Sequence, residues 1–269
     1  MPIQLDEQAD GIAVVRICNP LKRNALDAAM FQALRDLWPK LDQDPRVRCV
    51  LLTGDGDQAF CAGADLEAHL DRQPGIDDLI DAALLKTAFF RKPLIAAIRG
   101  VCVAGGLELA LAADIRIAAD DARLGLPEVH WGIVPSGGGA MKLSDQIGSA
   151  KAMDLLLSGR LLSGREADAI GLVSQSCAAA DVWKLAMERA AAIAANSPSA
   201  VLAAKHAALA RRALAYARLE PLERELVALV RAHGDPEEGK AAFLARRKPV
   251  YRDAAAELLE ISSIVKEMP

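Results

Sequence analysis

Short apolar runs alternate with helical patterns along the first half of the chain, and this alternation constrains the fold more than any other feature. Four brief runs of β-branched and aliphatic side chains predict buried strands, over residues 11–18, 47–52, 93–98 and 115–118. Helices are predicted between them, the first capped by Asp27 and the others over residues 78–90 and 105–113. Strands that alternate with helices are typical of an α/β core.

The second half of the chain has a different pattern. From about residue 137 onward it is rich in Ala, Leu and Arg and shows few strand signals. Helices are predicted over residues 149–157, 164–170, 181–196, 198–215, 219–233 and 236–246. Pro198 and Pro221 are interpreted as helix starts, and the predicted caps are Ser163, Asp181 and Ser197. We therefore expect a core over residues 1–197 and a helical C-terminal region over 198–269.

Composition excludes several classes of function. The 269 residues carry a formal net charge of -4, which does not favour nucleic acid or anionic membranes as partners. The opening residues, MPIQLDEQAD, lack the pattern of a targeting segment, and the most apolar stretch is interrupted by Arg99 and Glu108. The cysteines are odd in number, 5, and form no C-x-x-C pair, which indicates a reduced, cytoplasmic chain. The four histidines show no metal-ligand spacing, so we expect no metal.

The segment VAGGLELALAAD combines a helix start with an unusual carboxylate. Gly105 and Gly106 allow another group to approach the backbone, and the first N–H groups of a helix can bind a developing oxyanion. Glu108 lies one turn after Gly105 among apolar neighbours, where burial would raise its pKa. Glu108 is therefore either a catalytic group or a structural one paired with an arginine such as Arg99 or Arg116.

A second possible donor lies in the segment FCAGADL, residues 60–66. Gly63 permits an unusual backbone angle and Asp65 can cap a short helix, which would place the N–H of Ala64 at a helix entry. The alternative is a plain strand–loop–helix turn. The preceding residues Gly54, Gly56 and Ala59 match a dinucleotide-binding pattern, but Asp55 and Asp57 would repel a pyrophosphate, so we reject that interpretation.

Glu128 is a second candidate carboxylate. Pro127 precedes it and glycines follow at residues 137–139, which indicates a positioned, irregular segment. Brought near Glu108, it would form a pair that shares one water, with one group acting as base and the other as acid. The alternative is an ordinary surface glutamate.

Near the C-terminus, the basic run Arg246–Lys248 is either a solvated helix end or a phosphate contact.

Taken together, these segments resemble the crotonase (enoyl-CoA hydratase/isomerase) superfamily over residues 11–251. The motifs that carry the resemblance are NPLKRNALD at 19–27, FCAGADL, AGGLELALAAD, LPEVHWGIVPSGGG at 126–139 and EEGKAAFLARRKPVY at 237–251. The resemblance implies an α/β fold, a crotonase-like ββα spiral core over 1–197 followed by a helical trimerisation region over 198–269. It also implies a homotrimer or hexamer.

The family's functional positions carry over by residue. Ala64 and Gly105 match the two oxyanion-hole donors, and Glu108 and Glu128 match the glutamates that hold the attacking water in hydratases. Further positions match residues that line the CoA and acyl pocket, namely Arg23, Ala62, Asp65, Leu66, Gly106, Phe243 and Arg246. Two residues depart from the family pattern, Ala104 and Ser136, where glycine is common, so the length of the acyl chain stays open.

The activity implied by the resemblance is syn hydration of a trans-2-enoyl-CoA, as a lyase of fatty acid metabolism that uses no cofactor beyond the CoA of its substrate. Both glutamates are present, whereas sister branches often lack one of them. The alternatives are an enoyl-CoA isomerase or decarboxylase and a non-catalytic acyl-CoA-binding protein. An RNA-binding branch also exists, which the acidic balance of this chain does not favour.

Overall fold

Two sheets form the core of the computed structural model, which describes residues 2–7, 10–65, 67 and 74–252. The strands found there are β1 Ile3–Glu7, β2 Ile12–Ile17, β3 Cys49–Gly54, β4 Ala59–Cys61, β5 Leu94–Ile98, β6 Val101–Val103, β7 Ile115–Ala119, β8 Arg123–Gly125, β9 Leu162–Ser163 and β10 Gln175–Cys177. One sheet has the order β1-β2-β3-β5-β7-β10, and the other has the order β4-β6-β8-β9.

A repeated strand–strand–helix unit connects the two sheets. The helices are α1 Ala28–Gln43, α2 Ile76–Ala83, α3 Gly105–Leu111, α4 Gly139–Ile147, α5 Ser149–Ser158, α6 Gly164–Ala169, α7 Val182–Ala194, α8 Pro198–His233 and α9 Pro236–Leu244. In each unit the first strand (β3, β5, β7) joins the larger sheet and the second (β4, β6, β8) joins the smaller one, before a helix follows. The pairing within each of these sets is parallel. The predicted α/β spiral is confirmed.

Burial explains why the apolar runs become strands. Every residue of β3 and β5 is buried, since helices cover the parallel sheet. The predicted strands over 11–18, 47–52, 93–98 and 115–118 are confirmed within two residues. Of the strands that the sequence pattern did not reveal, β1 has five residues and the others have two or three, which is too short for a clear periodicity. Ala59 begins β4 and not a helix, which agrees with the rejection of a dinucleotide site.

The predicted helix starts are partly confirmed. Asp27 caps α1 by accepting a hydrogen bond from Met30 N at 2.8 Å, and Ser163 forms a capping box with Glu166 at the start of α6. Asp181 and Ser197 occupy the predicted cap positions of α7 and α8, but their side chains make no capping hydrogen bond.

Two helix boundaries also differ from the prediction. The helix expected over 78–90 runs only from Ile76 to Ala83, because Leu85 has a φ of 52° that no α-helix accommodates. The helices expected over 198–215 and 219–233 are one helix, α8, with Pro221 inside it. Ion pairs connect α8 to the core on both sides of Pro221. Examples are Lys205–Asp114 and Arg231–Asp77, at 2.7 Å each. Tertiary packing thus overrides the local preference of proline.

Three general findings concern the cysteines, metal binding and membrane crossing. All five cysteines are free, and three of them are buried in the core. Within the described ranges, no group of three or more His, Cys, Asp or Glu side chains could hold a metal ion. None of the helices in that part of the chain combines the length and the apolar character needed to cross a membrane.

Candidate active site

Glycines bring the start of α3 against the segment that follows β4. The chain leaves β6 and turns at Ala104, whose φ is 51°, into α3 at Gly105. A Cβ on Gly106 would lie 2.2 Å from the carbonyl oxygen of Cys61. Only glycine therefore permits this approach. A Cβ on Gly63 would likewise lie 2.9 Å from Cβ of Ala104. The close contact therefore needs Gly63 in the segment after β4 and Gly106 in α3.

The backbone at Ala64 is oriented by a bridge to Leu26. Leu26 N donates to Gly63 O, and Asp65 N donates to Leu26 O, both at 2.8 Å. This is the pattern of a parallel bridge between Leu26 and Ala64. In such a bridge the N–H of Ala64 itself points away from Leu26. The local fold thus directs this donor to the opposite side, toward the start of α3.

The N–H groups of Ala64 and Gly105 lie side by side as a result. A Cβ on Gly105 would be 3.8 Å from Ala64 N, and a Cβ on Gly63 would be 3.1 Å from Gly105 N. Neither N–H donates a hydrogen bond to any residue that the structure describes. The N–H of Gly105 also stands at the positive end of the α3 dipole. Two free donors so placed can bind a single acceptor oxygen.

Glu108 is held by backbone donors and not by an arginine. It lies in α3 with 4% of its surface exposed, and its Oε1 accepts hydrogen bonds from Gly137 N at 2.7 Å and Gly139 N at 2.9 Å. Arg99 and Arg116 donate instead to backbone carbonyl oxygens. The structural ion pair that the sequence left open is therefore absent from the described residues. Burial raises the pKa of Glu108, and the hydrogen bond from Gly139 offsets part of that rise.

Glu128 is the second buried carboxylate. It begins the 3₁₀ turn Glu128–Trp131 and is 5% exposed, so it is not a surface glutamate. Its Oε2 has no hydrogen-bond partner among the residues described. Burial raises the pKa of Glu128 well above its ordinary value, and the charge of Glu108 raises it further. Since two neighbouring buried carboxyls cannot both ionise readily, Glu108 and Glu128 titrate as a coupled pair.

A cavity of about 360 Å³ opens beside Ala64. Its apolar wall comes from α2, α8 and the segment after the 3₁₀ turn, through Ile76, Ile80, Val227, Val230, Ile133 and Val134. Ser136 also lines it, so the residue that departs from the family pattern faces this space. Asp77 and Arg231, paired at 2.7 Å, supply charged lining. A mostly apolar cavity with a few polar groups suits an acyl chain.

Comparisons with known proteins agree along the whole chain. A family model described as enoyl-CoA hydratase/isomerase matches residues 7–254. The chain belongs to the enoyl-CoA hydratase/isomerase family. The enoyl-CoA hydratase EchA19 of Mycobacterium tuberculosis is 35% identical, covering 94% of this chain and 97% of that protein. The (E)-benzylidenesuccinyl-CoA hydratase of Thauera aromatica is 34% identical, covering 94% of this chain and 100% of that protein.

Solved structures also resemble the fold of this chain closely. The structure of EchA1_1 from Mycobacterium paratuberculosis superposes with a TM-score of 0.86 and 33% identity, covering 93% of this chain and 98% of that one. This likeness confirms the crotonase-type fold of the family. The chain is an enzyme of the hydratase type, in agreement with the activity that its motifs predict.

The family positions expected to line the CoA pocket lie partly in the first half of the chain and partly near its C-terminus. Asp65 lines the cavity, and its carboxylate pairs with Lys22 at 2.8 Å. Ala62 and Arg23 lie together nearby, joined by a hydrogen bond from Ala62 N to Arg23 O of 3.1 Å, but neither lines the cavity. Gly106 is buried in the first turn of α3 and does not line the cavity. Leu66 lies outside the described residues.

The two C-terminal positions are Phe243, in α9, and Arg246, just after it. The ring of Phe243 packs edge-on against Trp131 with centroids 4.9 Å apart, and Trp131 itself lines the cavity. Phe243 is 42% exposed, so one face is available for further contacts. Arg246 follows α9 with a φ of 52° and does not reach the cavity in this chain.

Sequence reasoning missed two parts of this site. The N–H groups of Gly137 and Gly139 hold Glu108, although the sequence indicated only that residues 137–139 are irregular. Ile76 and Ile80 of α2 and Val227 and Val230 of α8 form the cavity wall. Their spacing of four and three residues was a usable signal, since it places each pair on one helix face.

Proposed function

We propose that this family member is an enoyl-CoA hydratase, which adds water syn across the double bond of a trans-2-enoyl-CoA to give a 3-hydroxyacyl-CoA. The observation that carries the proposal is the buried pair Glu108 and Glu128 beside the N–H groups of Ala64 and Gly105, which donate to none of the described residues. Hydration needs a base for water, an acid for the α-carbon and a site for charge on the thioester oxygen. The pair and the donors supply all three.

The N–H groups of Ala64 and Gly105 form the proposed oxyanion hole. As water attacks C3, the electrons of the double bond move toward the thioester carbonyl, and its oxygen gains negative charge. Donors already aimed at that position stabilise the charge without reorganising, and losing one such donor typically costs about 10²–10³ in rate. The dipole of α3 acts in the same direction.

The two carboxyls take different roles because their surroundings differ. Glu108 accepts two backbone hydrogen bonds, which favour its ionised form, and it acts as the base that removes a proton from water. Among the described residues Oε2 of Glu128 has no such donor, and burial and the charge of Glu108 both raise its pKa, so we assign Glu128 the role of the acid that delivers a proton to C2. The water oxygen forms a covalent bond to C3, and the proton from Glu128 forms a C–H bond at C2. The proton that Glu108 took from water then passes to Glu128, which restores the pair.

The substrate is placed by the remaining family positions. Its thioester lies at Ala64 and Gly105, and its acyl chain enters the 360 Å³ cavity. Arg23, Ala62, Asp65, Leu66 and Gly106 are proposed to line the CoA pocket, and Phe243 and Arg246 to contact CoA, in part across a subunit boundary. The chemistry of this donor set requires no cofactor beyond the CoA of the substrate.

We also propose that the chain assembles as a homotrimer, which can pair into a hexamer, and that it works in the cytoplasm in fatty acid metabolism. Large apolar side chains stay exposed on the C-terminal helices and the segment after them, namely Leu214, Phe243, Leu244 and Val250. They suit contact with another subunit. Light scattering should give three or six times the chain mass of 28.5 kDa.

The test is product identification with a panel of trans-2-enoyl-CoAs of different chain length and branching. Wild type should form 3-hydroxyacyl-CoA, and Glu108→Ala or Glu128→Ala should each slow it about 100-fold or more. Movement of the double bond without gain of water would indicate an isomerase instead. Binding of the thioesters without turnover would indicate a non-catalytic acyl-CoA-binding protein.

A further inference from the structure

Buried charged side chains outside the proposed chemistry lie close to Glu108. Lys86 and Lys142 are 2% and 3% exposed, and Glu223 of α8 is 6% exposed. Lys86 pairs with Glu223 at 2.8 Å. Lys142 makes no ion pair with the carboxylates that the structure describes, and its Nζ donates to Leu85 O at 2.8 Å. A buried ammonium without a paired carboxylate is costly, so the position of Lys142 calls for a reason.

The first link between Lys142 and Glu108 is the glycine segment at the start of α4. The N–H groups of Gly137 and Gly139 bind Oε1 of Glu108. Gly138 stands between them with a φ of 90° and accepts a hydrogen bond from Lys142 N at 3.0 Å. A Cβ on Gly138 would lie 3.3 Å from Cε of Lys142. The segment is therefore held between the Glu108 carboxylate and the Lys142 side chain.

The second link is the anchor at the end of α2. Nζ of Lys142 donates to Leu85 O at 2.8 Å and contacts Leu84 O at 3.5 Å. The side chain of Leu84 also packs on the glycine segment, since a Cβ on Gly137 would lie 2.6 Å from its Cδ1. Lys142 thus fastens α4 to the residues after α2, and both sides of that joint contact the segment that holds Glu108.

The third link is electrostatic. Burial raises the pKa of Glu108, Glu223 adds to the rise, and the Lys142 ammonium lowers it. Burial lowers the pKa of Lys142 to about 8, and the charges of Glu108 and Glu223 oppose that fall. Other charged groups face these side chains from the packed elements, namely Glu128, Lys86 and Asp81. Lys142 is the cation that acts most strongly on Glu108.

We propose that Lys142 is a positioning residue for Glu108. It holds the glycine segment 137–139 against the carboxylate and sets a positive charge beside it. Replacing a lysine with only a structural role would lower stability, because Leu85 O would lose its donor, but it would leave the titration of Glu108 unchanged. The kinetic part of the proposal rests on the proposed hydratase function, whereas the effect on Glu108 itself does not.

The test compares Lys142→Met and Lys142→Arg with a matched control, Lys92→Met. Lys92 also donates to two backbone carbonyl oxygens, Asp44 O at 3.0 Å and Val47 O at 2.8 Å, but it is not among the groups that act on Glu108. Three quantities are measured for each variant: the pH dependence of kcat and KM, the thermal midpoint, and the titration midpoint of the Glu108 carboxyl carbon by NMR. Glu108→Gln assigns that carbon signal.

Lys142→Met should lower kcat about 10-fold or more with KM changed less than about threefold, since small misplacement of a catalytic group is costly. In this variant the acid limb of the pH profile of kcat and the titration midpoint of Glu108 should both move to higher pH. Lys142→Arg should restore most of the lost kcat and return the Glu108 midpoint toward its wild-type value. Lys92→Met should change neither kcat nor the Glu108 midpoint. An unchanged Glu108 midpoint in Lys142→Met would overturn the proposal. A midpoint that moves in a protein with no hydratase activity would instead overturn the proposed function.

Discussion

Exchange of Glu108 for glutamine separates the chemical role of this side chain from its structural role. Glutamine keeps an Oε1 that can accept the N–H groups of Gly137 and Gly139, now at 2.7 and 2.9 Å, so the local geometry should persist. It cannot take a proton from water. The variant should therefore lose the base without losing the fold.

The loss of activity and the gain of stability can both be sized. Losing a general base costs about 10²–10⁴ in kcat, or about 3–5 kcal/mol of barrier. Because burial raises the pKa of Glu108, the folded chain binds more protons than the unfolded chain as pH rises from the ordinary carboxyl pKa to the raised one. Stability falls across that window, by about 1.4 kcal/mol for each pH unit that separates the two pKa values. Glutamine avoids this fall, so Glu108→Gln should be about 1–3 kcal/mol more stable to unfolding than wild type near pH 8.

The assay is denaturant unfolding of wild type and Glu108→Gln at about pH 4 and pH 8, with kcat measured alongside. The two proteins should be nearly equal in stability at the lower pH and differ at the higher one. Glu166→Gln is the control, because hydrogen bonds from Ser163 lower the pKa of this exposed carboxyl. It should lose stability at the higher pH and keep full activity. A Glu108→Gln protein that is less stable at pH 8 than wild type, or that retains kcat within tenfold of it, would contradict the assignment of Glu108 as a buried base.

Three further predictions follow from the same contacts. Glu128→Gln should lower kcat about 100-fold with KM changed less than about threefold; steady-state kinetics checks this, and an effect confined to KM would contradict it. Gly106→Ala should cost about 1–3 kcal/mol in thermal unfolding, because its Cβ would lie 2.2 Å from Cys61 O, and an unchanged midpoint would contradict the packing argument. Ser136→Leu should raise KM for long acyl chains more than for crotonyl-CoA, since Ser136 lines the cavity; equal changes across the panel would argue against this location of the acyl chain.

Local patterns were sufficient for much of the fold. The runs that became β2, β3, β5 and β7 are continuously apolar over most of their length, and Asp27 and Ser163 cap helices through contacts that span three residues. Gly105 and Glu108 share one short helix, so their relative placement also followed from spacing. The roles assigned to the site residues stay predictions until the kinetics are measured.

Contacts between distant segments could not be predicted. The N–H groups of Gly137 and Gly139 reach Glu108 across about thirty residues of chain, and no local pattern encodes that contact. Pro221 looked like a helix start because propensity ignores the ion pairs that hold α8 on both sides of it. Lys142 gave no signal, since its partners are backbone carbonyl oxygens and its burial depends on the packing of α4 against the end of α2.

The central claim is that Glu108 and Glu128 add one water molecule to an enoyl thioester bound at Ala64 and Gly105. The most direct measurement is turnover of crotonyl-CoA in ¹⁸O-labelled water, with the product analysed by mass spectrometry. We expect one ¹⁸O atom per product molecule, bonded at C3, and loss of this product in the Glu108→Gln and Glu128→Gln variants. Consumption of the thioester without ¹⁸O at C3, or labelled product formed at wild-type rate by either variant, would contradict it.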